Sequence, residues 1–230
     1  MLSRLLRRAI RLVLPRIDGG GELSQQVALD MIPFRPETVI KGYLNGFFPM
    51  TEAGGVIRWR APERRGIVPI DAFHVPKNLS RLVRQQKFEI RLDTQFEEVI
   101  RACADRDETW ITEEFINTYC RLHEMGVARS VEAWQDGQLA GGLYGICLGR
   151  YFATESQFHR VRDAGKVAFI HLFHMLRSGE FLLHDVQYQT PYLDQFGGTD
   201  LANSDFRQQL MQAVIQHGKL ELPSAETVQA

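Results

Sequence analysis

Asp185 and Gln187 stand two residues apart on an apparent strand, and Glu155 opens the quartet Glu155-Ser156-Gln157-Phe158 on what reads as another. Alternate residues of a strand share a face, so the carboxylate at 185 and the carboxamide at 187 point the same way. Such groups are poor core fillers, because each needs hydrogen-bond partners once it leaves water. Together they suit acyl transfer to an amine. A carboxylate holds or deprotonates the amine, and a carboxamide accepts from it or donates to a developing oxyanion. The competing reading is a structural polar network that ties strand to strand. Other arrangements carry less. Ser156 has no evident His partner, and no Gly-x-Ser-x-Gly elbow is present. His171 and His174 lie one turn apart without a further ligand motif, so no metal site is expected. His184 faces away from Asp185 on their strand. Arg162-Asp163-Ala164-Gly165-Lys166, at the start of a helix, could present backbone N–H groups to an anion.

The elements that must position these residues follow from pattern. Residues 36–46 read as a short helix with Pro in its first turn and Gly past its end, and 46–50 as an apolar loop. Residues 78–86 read as helix, 88–92 as strand, and 94–104 as helix with Asp93 as N-cap. Thr112 caps a helix that stops at Gly126. Residues 129–135 alternate as a strand, Asp136-Gly137 marks a hairpin, and 139–148 is a Gly-rich return strand. Residues 151–158 make a third strand, 163–178 a helix ended by Gly179, 181–187 a strand, and 204–216 the last helix. The helix between strands 151–158 and 181–187 implies a parallel pair. Glycines within 141–145 let another backbone or a ligand come close to the sheet. The fold class is α+β, with a mixed sheet. Residues 1–20 form a basic amphipathic helix and linker, 21–71 a small N-terminal domain, 72–222 the larger domain, and 223–230 a tail.

Composition bounds the partners. The 230 residues carry a formal net charge of -1, which hides a polarity along the chain. Residues 58–91 hold nine Lys or Arg against three acids, and 93–124 hold nine acids against three Arg. The basic stretch nominates Arg60, Arg64, Arg65, Lys77, Arg81 and Arg84 as phosphate contacts. Trp59, set between Arg58 and Arg60, could stack a base or lie buried under arginine stems. Three distant cysteines argue against a disulfide framework and fit a reducing cytosol. The Arg-striped stretch 1–16 could lie on an anionic membrane, but packing on the domain is the favoured reading.

Several motifs, in order, resemble one family. Gly46-Phe47-Phe48-Pro49, Trp59-Arg60-Ala61-Pro62-Glu63-Arg64, Thr109-Trp110-Ile111-Thr112, Ser130-Val131-Glu132-Ala133-Trp134, Gly141-Gly142-Leu143-Tyr144-Gly145, Glu155-Ser156-Gln157-Phe158, Lys166 and Asp185-Val186-Gln187 resemble the leucyl/phenylalanyl-tRNA–protein transferases. The resemblance implies a GNAT-like sheet with flanking helices behind a smaller N-terminal α/β domain. It implies transfer of Leu or Phe from aminoacyl-tRNA to the α-amine of proteins that begin with Arg or Lys. That transfer marks them for degradation in a bacterial cytoplasm. No cofactor beyond the aminoacyl-tRNA co-substrate is implied, and a monomer is expected. Asp185, Gln187 and Glu155 match catalytic and pocket positions. Trp59, Trp110, Leu143, Phe152, Phe169 and Leu172 match positions that line the tRNA end and the amino-acid pocket. Gln157 stands where the family has Met, Asp163-Ala164-Gly165-Lys166 where it has Asn-Ala-Ser-Lys, Thr190-Pro191-Tyr192-Leu193 where it has Thr-His-His-Leu or similar, and His184 where an apolar residue is usual. These departures gather round the expected site. An acyl-CoA-dependent N-acyltransferase, suggested by Gly165, and a non-catalytic RNA- or peptide-binding relative are the alternatives.

Overall fold

A computed structural model describes residue 26 and residues 28–223. The basic stretch 1–16, the glycine linker and most of the 223–230 tail lie outside the described residues.

Helix α1 (Pro36–Leu44) starts on Pro36 and buries Val39, Ile40 and Tyr43. Strands β1 (Phe48–Thr51) and β2 (Ile57–Arg60) pair antiparallel as a separate ribbon. They occupy stretches read from sequence as an apolar loop and an Arg-Trp-Arg segment. Strand β3 (Arg64–Ile67) follows, then α2 (Lys77–Arg84), β4 (Glu89–Leu92), α3 (Phe96–Ala104) and α4 (Glu113–Glu124). Thr112 caps α4 by accepting from the Phe115 N–H. Strands β5 (Ala128–Gln135), β6 (Gln138–Leu148) and β7 (Tyr151–His159) form a meander. Its first turn uses Asp136 and Gly137, both with positive φ, as a two-residue hairpin demands. Helix α5 (Ala164–Ser178), β8 (Leu183–Gln187), the single turn α6 (Pro191–Asp194), β9 (Thr199–Ala202) and α7 (Asn203–Val214) complete the order.

Seven strands make one sheet in the order β4-β5-β6-β7-β8-β3-β9. Only the β7–β8 pair is parallel, and α5 is its crossover. One face packs on α5 through Phe152, Phe169, Leu172 and Phe173. The other packs on α1, α3, α4 and α7 through Tyr43, Phe115, Tyr119, Tyr144, Tyr151 and Phe206. Strand β3 lies within the 21–71 segment, yet it pairs with β8 and β9, so the end of that segment is part of the large sheet.

One expectation needs correction. Asp93 does not cap the following helix. Its carboxylate accepts from Ser130 N and from Arg129. The helix entry is held instead by Glu132, whose carboxylate accepts from the Thr94 and Gln95 N–H groups at 2.9 and 2.8 Å. Glu132 is fully buried and also accepts from Ser130 Oγ and Trp134 Nε1. The Ser130–Trp134 motif is therefore a structural joint between β5 and α3.

Gly141 and Gly165 explain each other. A Cβ on Gly141 would meet Ala164 Cβ at 2.7 Å, and one on Gly165 would meet Phe158 O at 2.7 Å. The start of α5 is thus pressed onto the backbones of β6 and β7.

Candidate active site

The site forms where the two parallel strands part. Their ladder runs Tyr151↔Leu183, Phe152↔His184, Ala153↔Asp185 and goes no further. Just beyond it, β7 carries a bulge: Tyr144 faces Ser156 and Gly145 faces Thr154, which leaves Glu155 as the extra residue. The bulge sends Glu155 and Ser156 toward the tyrosine-rich face, while Thr154 reaches His184 on the α5 face. On β8, Gln187 takes φ +60°, the left-handed region, and ends the strand. A cavity of about 340 Å³ opens in the gap. That volume is at the lower end of the range for small-molecule sites. Thr154 to Gln157 line one side and Val186 to Tyr188 the other, with Phe48, Met50, Arg106, Trp110, Phe169 and Tyr192 around them.

Glu155 and Gln187 meet inside it. Gln187 Nε2 donates to Glu155 Oε1 at 3.2 Å. The same oxygen accepts from the Tyr43 hydroxyl at 2.5 Å, and Oε2 accepts from Tyr119 at 3.5 Å. Burial pushes the Glu155 carboxyl up to about 8, against a downward pull from the Tyr43 hydrogen bond. Burial likewise raises the phenols of Tyr43 and Tyr119 well above their ordinary value, so both are neutral donors.

Asp185 lies one layer behind. It is fully buried, and its carboxylate accepts four hydrogen bonds. Arg65 Nε and Nη2 supply two, at 2.8 and 2.6 Å, the Tyr151 hydroxyl one at 2.6 Å, and the Gln187 N–H one at 2.8 Å. Four donors fill the acceptor capacity of a carboxylate. Asp185 does not line the cavity; it fixes the backbone of the residue that does.

Arg65 is the clearest correction. Read from sequence as a phosphate contact, it has no solvent exposure. Burial by itself would lower its pKa, but Asp185 outweighs that and holds it above the usual range. Its guanidinium also lies over the rings of Phe48 and Phe206 and donates to Gly46 O. Of the other candidate phosphate contacts, Arg60 pairs with Glu52 and Arg64 sits near Asp200. Lys77, Arg81 and Arg84 are exposed on α2.

The candidate pocket residues divide. Trp110, Gln157 and Phe169 line the cavity. Leu143, Phe152 and Leu172 are fully buried in the core on the α5 face, behind the lining. Trp59 is buried away from the cavity, with its ring in the space a Cβ on Gly42 would take. His184 sits among Phe152, Phe169 and Phe173, where burial pushes its pKa down to about 3. Its Nε2 meets Thr154 Oγ1 at 2.8 Å, and it faces away from the Asp185 network. Among the described residues no group of His, Cys, Asp and Glu could hold a metal ion. No described helix is long and apolar enough to cross a membrane.

Sequence reasoning missed Tyr43, Tyr119 and Tyr151, because each sits in an apolar pattern and reads as core. It also missed Arg106, whose Nη2 donates to Ser156 Oγ at 3.0 Å and to Gln157 O at 3.3 Å at the cavity mouth. Gly165 is accounted for by the packing of α5 on Phe158 O, and Asp163, ion-paired with Lys166, stands at that helix start.

Comparison with known proteins gives a consistent answer. The family model described as leucyl/phenylalanyl-tRNA protein transferase matches residues 67–211, and the model of that protein's N-terminal domain matches 33–63. A leucyl/phenylalanyl-tRNA–protein transferase of Salinibacter ruber is 49% identical over 180 residues, 78% of this chain and 80% of the relative. One from Herpetosiphon aurantiacus is 49% identical over 180 residues, 78% and 94% of the two chains. One from Gloeobacter violaceus is 48% identical over 185 residues, 80% and 96%.

Proposed function

The chain belongs to the leucyl/phenylalanyl-tRNA–protein transferase family, and from that premise we propose that it moves Leu, Phe or a similar apolar residue from aminoacyl-tRNA to the N-terminal α-amine of proteins that begin with Arg or Lys. The product is marked for degradation in the cytoplasm. Membership makes the protein an aminoacyltransferase that uses aminoacyl-tRNA. The acceptor class, the fate of the product and the residue roles belong to the proposal.

The observation that carries it is the Glu155–Gln187 pair inside the cavity between the parted strands. An aminoacyl ester is already activated, so the reaction needs alignment more than further activation. In the proposed step the amine nitrogen attacks the ester carbonyl carbon. The C–N bond forms, the C–O bond to the ribose breaks, the amine gives up a proton and the leaving ribose oxygen takes one. Gln187 Nε2 is committed to Glu155, which leaves its carbonyl oxygen to accept from the incoming amine. The carboxylate of Glu155 takes the amine proton. Its pKa of about 8 lies close to that of a free α-amine, about 7.7–8.0, so proton transfer is nearly balanced. Asp185 acts through Gln187 as a positioning residue.

The test is direct. Purified protein, labelled Leu-tRNA or Phe-tRNA and a peptide that starts with Arg should give labelled peptide. The same peptide with its α-amine acetylated should give none. Absence of label in the first mixture would refute the reading.

A further inference from the structure

One cation stands at the mouth of the cavity, and neither the fold nor the proposed step accounts for its charge. Among the described residues Arg106 is the only basic member of the lining. Three neutral acceptors anchor its guanidinium on one side. Nε donates to Cys103 O at 2.8 Å, and Nη2 donates to Ser156 Oγ at 3.0 Å and Gln157 O at 3.3 Å. Among the described residues nothing accepts from Nη1, and the residue is exposed. Asp105, Asp107 and Glu108 flank it in sequence, yet none of them pairs with it, whereas Arg101 and Arg160 each hold a glutamate. The three bonds tie residue 106 to β7, but a tether of that kind has no need of a charge. A guanidinium fixed in place with one edge open is preorganised for an anion.

The reactants limit which anion that is. The apolar acyl group carries none, and an acceptor that begins with Arg or Lys brings a cation. The remaining source is the RNA. Ser156 and Gln157 follow Glu155 on β7, so the guanidinium docks one to two residues from the reacting carboxylate, at about 3.3 Å per residue. On an aminoacyl-tRNA a single ribose separates the ester from the phosphate on the 5′ oxygen of the same nucleotide.

Resting on the transferase reading, we propose that Arg106 seats the phosphodiester that joins the terminal nucleotide of the donor tRNA to the rest of the strand. Nη1 donates to a non-bridging phosphate oxygen, while the bonds from Nε and Nη2 hold the fork still. The last phosphate is thereby clamped at the rim as the ester reaches Glu155 and Gln187.

The test uses the full chain and 3′-amino-3′-deoxyadenosine acylated with Phe through a non-transferable amide, made with and without a 5′-methyl phosphate diester. Calorimetry gives the factor by which the phosphate tightens binding. For the parent at low salt that factor should be at least ~10, the scale of a hydrogen bond to a charged group. Arg106→Gln should bring it below about threefold while the phosphate-free compound binds as it does to the parent, and Arg106→Lys should keep an intermediate factor. With Phe-tRNA, Arg106→Gln should raise KM and lower the slope of log affinity against log salt by about 0.7, one single-strand phosphate. No gain from the phosphate in the parent, or a gain unmoved by Arg106→Gln, overturns the proposal and leaves the transferase reading standing. Equal weakening of both compounds, the mark of a tether alone, also overturns it. So does a raised KM for the peptide with the phosphate gain intact, the mark of an acceptor contact. Where Arg106→Gln melts below the parent, the parent's gain and Arg106→Lys decide. Absence of transfer from Leu- and Phe-tRNA with the phosphate gain as expected supports the anion seat and removes the reaction. Absence of both transfer and binding removes both.

Discussion

Three acidic side chains on the sheet, Glu132, Asp185 and Glu155, have two different fates, and the partners decide which. Glu132 and Asp185 are saturated by donors and structural; Glu155 keeps a face to the cavity. Removal of Asp185 would leave Arg65 as an uncompensated buried cation, which costs about 3–5 kcal/mol. Asp185→Ala should therefore lower the unfolding free energy by that amount, with Arg65→Ala similar. Gln187→Ala should cost about 1 kcal/mol or less in stability, one hydrogen bond, and still abolish transfer. Denaturant midpoints with transfer assays on the three variants decide this. Equal stability of Asp185→Ala and Gln187→Ala would contradict the layered site. Glu155 gives a pH signature. Its folded pKa, about 8, lies above the ordinary 4.5, so between those values the fold binds the extra proton and stability falls as pH rises. The buried His184, depressed to about 3, acts the other way, but its contribution is complete above about 6.5. Between pH 6.5 and 8 the parent should lose stability with a component of up to about 1.4 kcal/mol per pH unit that Glu155→Gln lacks. Identical slopes in that window would show that Glu155 is not perturbed.

At the scale of elements, the parting of β7 and β8 makes the cavity and the seating of α5 keeps it open on one side. That seating depends on two backbones touching where Gly141 and Gly165 lie. A methyl at 165 must displace Phe158 O, which is ladder backbone and cannot swing away. Gly165→Ala should thus cost about 1–3 kcal/mol, the usual range for overpacking. It should weaken transfer through Phe169, which α5 carries into the cavity. A Tm and kcat/KM equal to the parent's would show that α5 can slide. The crossover, the meander and the Asp-Gly hairpin were legible in sequence because they are long, periodic or marked by a turn. Strands β1, β2, β3 and β9 were not: β2 and β3 carry two arginines each, and the four-residue β1 and β9 contain Pro49 and Asp200, both poor strand signals. Arg65 reads as surface because the aspartate that neutralises it is 120 residues away. The bulge at Glu155 is a matter of register, which no single strand records. The convergence of 155 and 187 was legible; the withdrawal of Asp185 from the cavity was not.

For the whole molecule, a net charge of -1 has to coexist with a polyanionic co-substrate, so local charge must do the attracting. Pairing within the fold decides which cations remain for phosphates. Arg65 is lost to the core. Arg60 and Arg64 face Glu52 and Asp200 in exposed pairs. Such pairs are worth little and can exchange for a phosphate, yet each exchange frees an acid that repels the RNA. Lys77, Arg81 and Arg84 carry no such counterweight among the described residues; Arg84 only donates to Ser80 Oγ. Helix α2 is therefore the stronger candidate for the electrostatic footprint. Each phosphate contact with single-stranded or duplex RNA contributes about 0.7–0.9 to the slope of log affinity against log salt. The combined Lys77→Ala, Arg81→Ala and Arg84→Ala variant should bind aminoacyl-tRNA more weakly and flatten that slope by about 2–3. Arg60→Ala with Arg64→Ala should flatten it by less than about 1.5, because each removal also releases an acid. The measurement is tRNA affinity by filter binding or fluorescence across a salt series, with Tm recorded for each variant. A slope unchanged by the α2 substitutions, in a protein that still melts like the parent, would take that helix out of the tRNA interface.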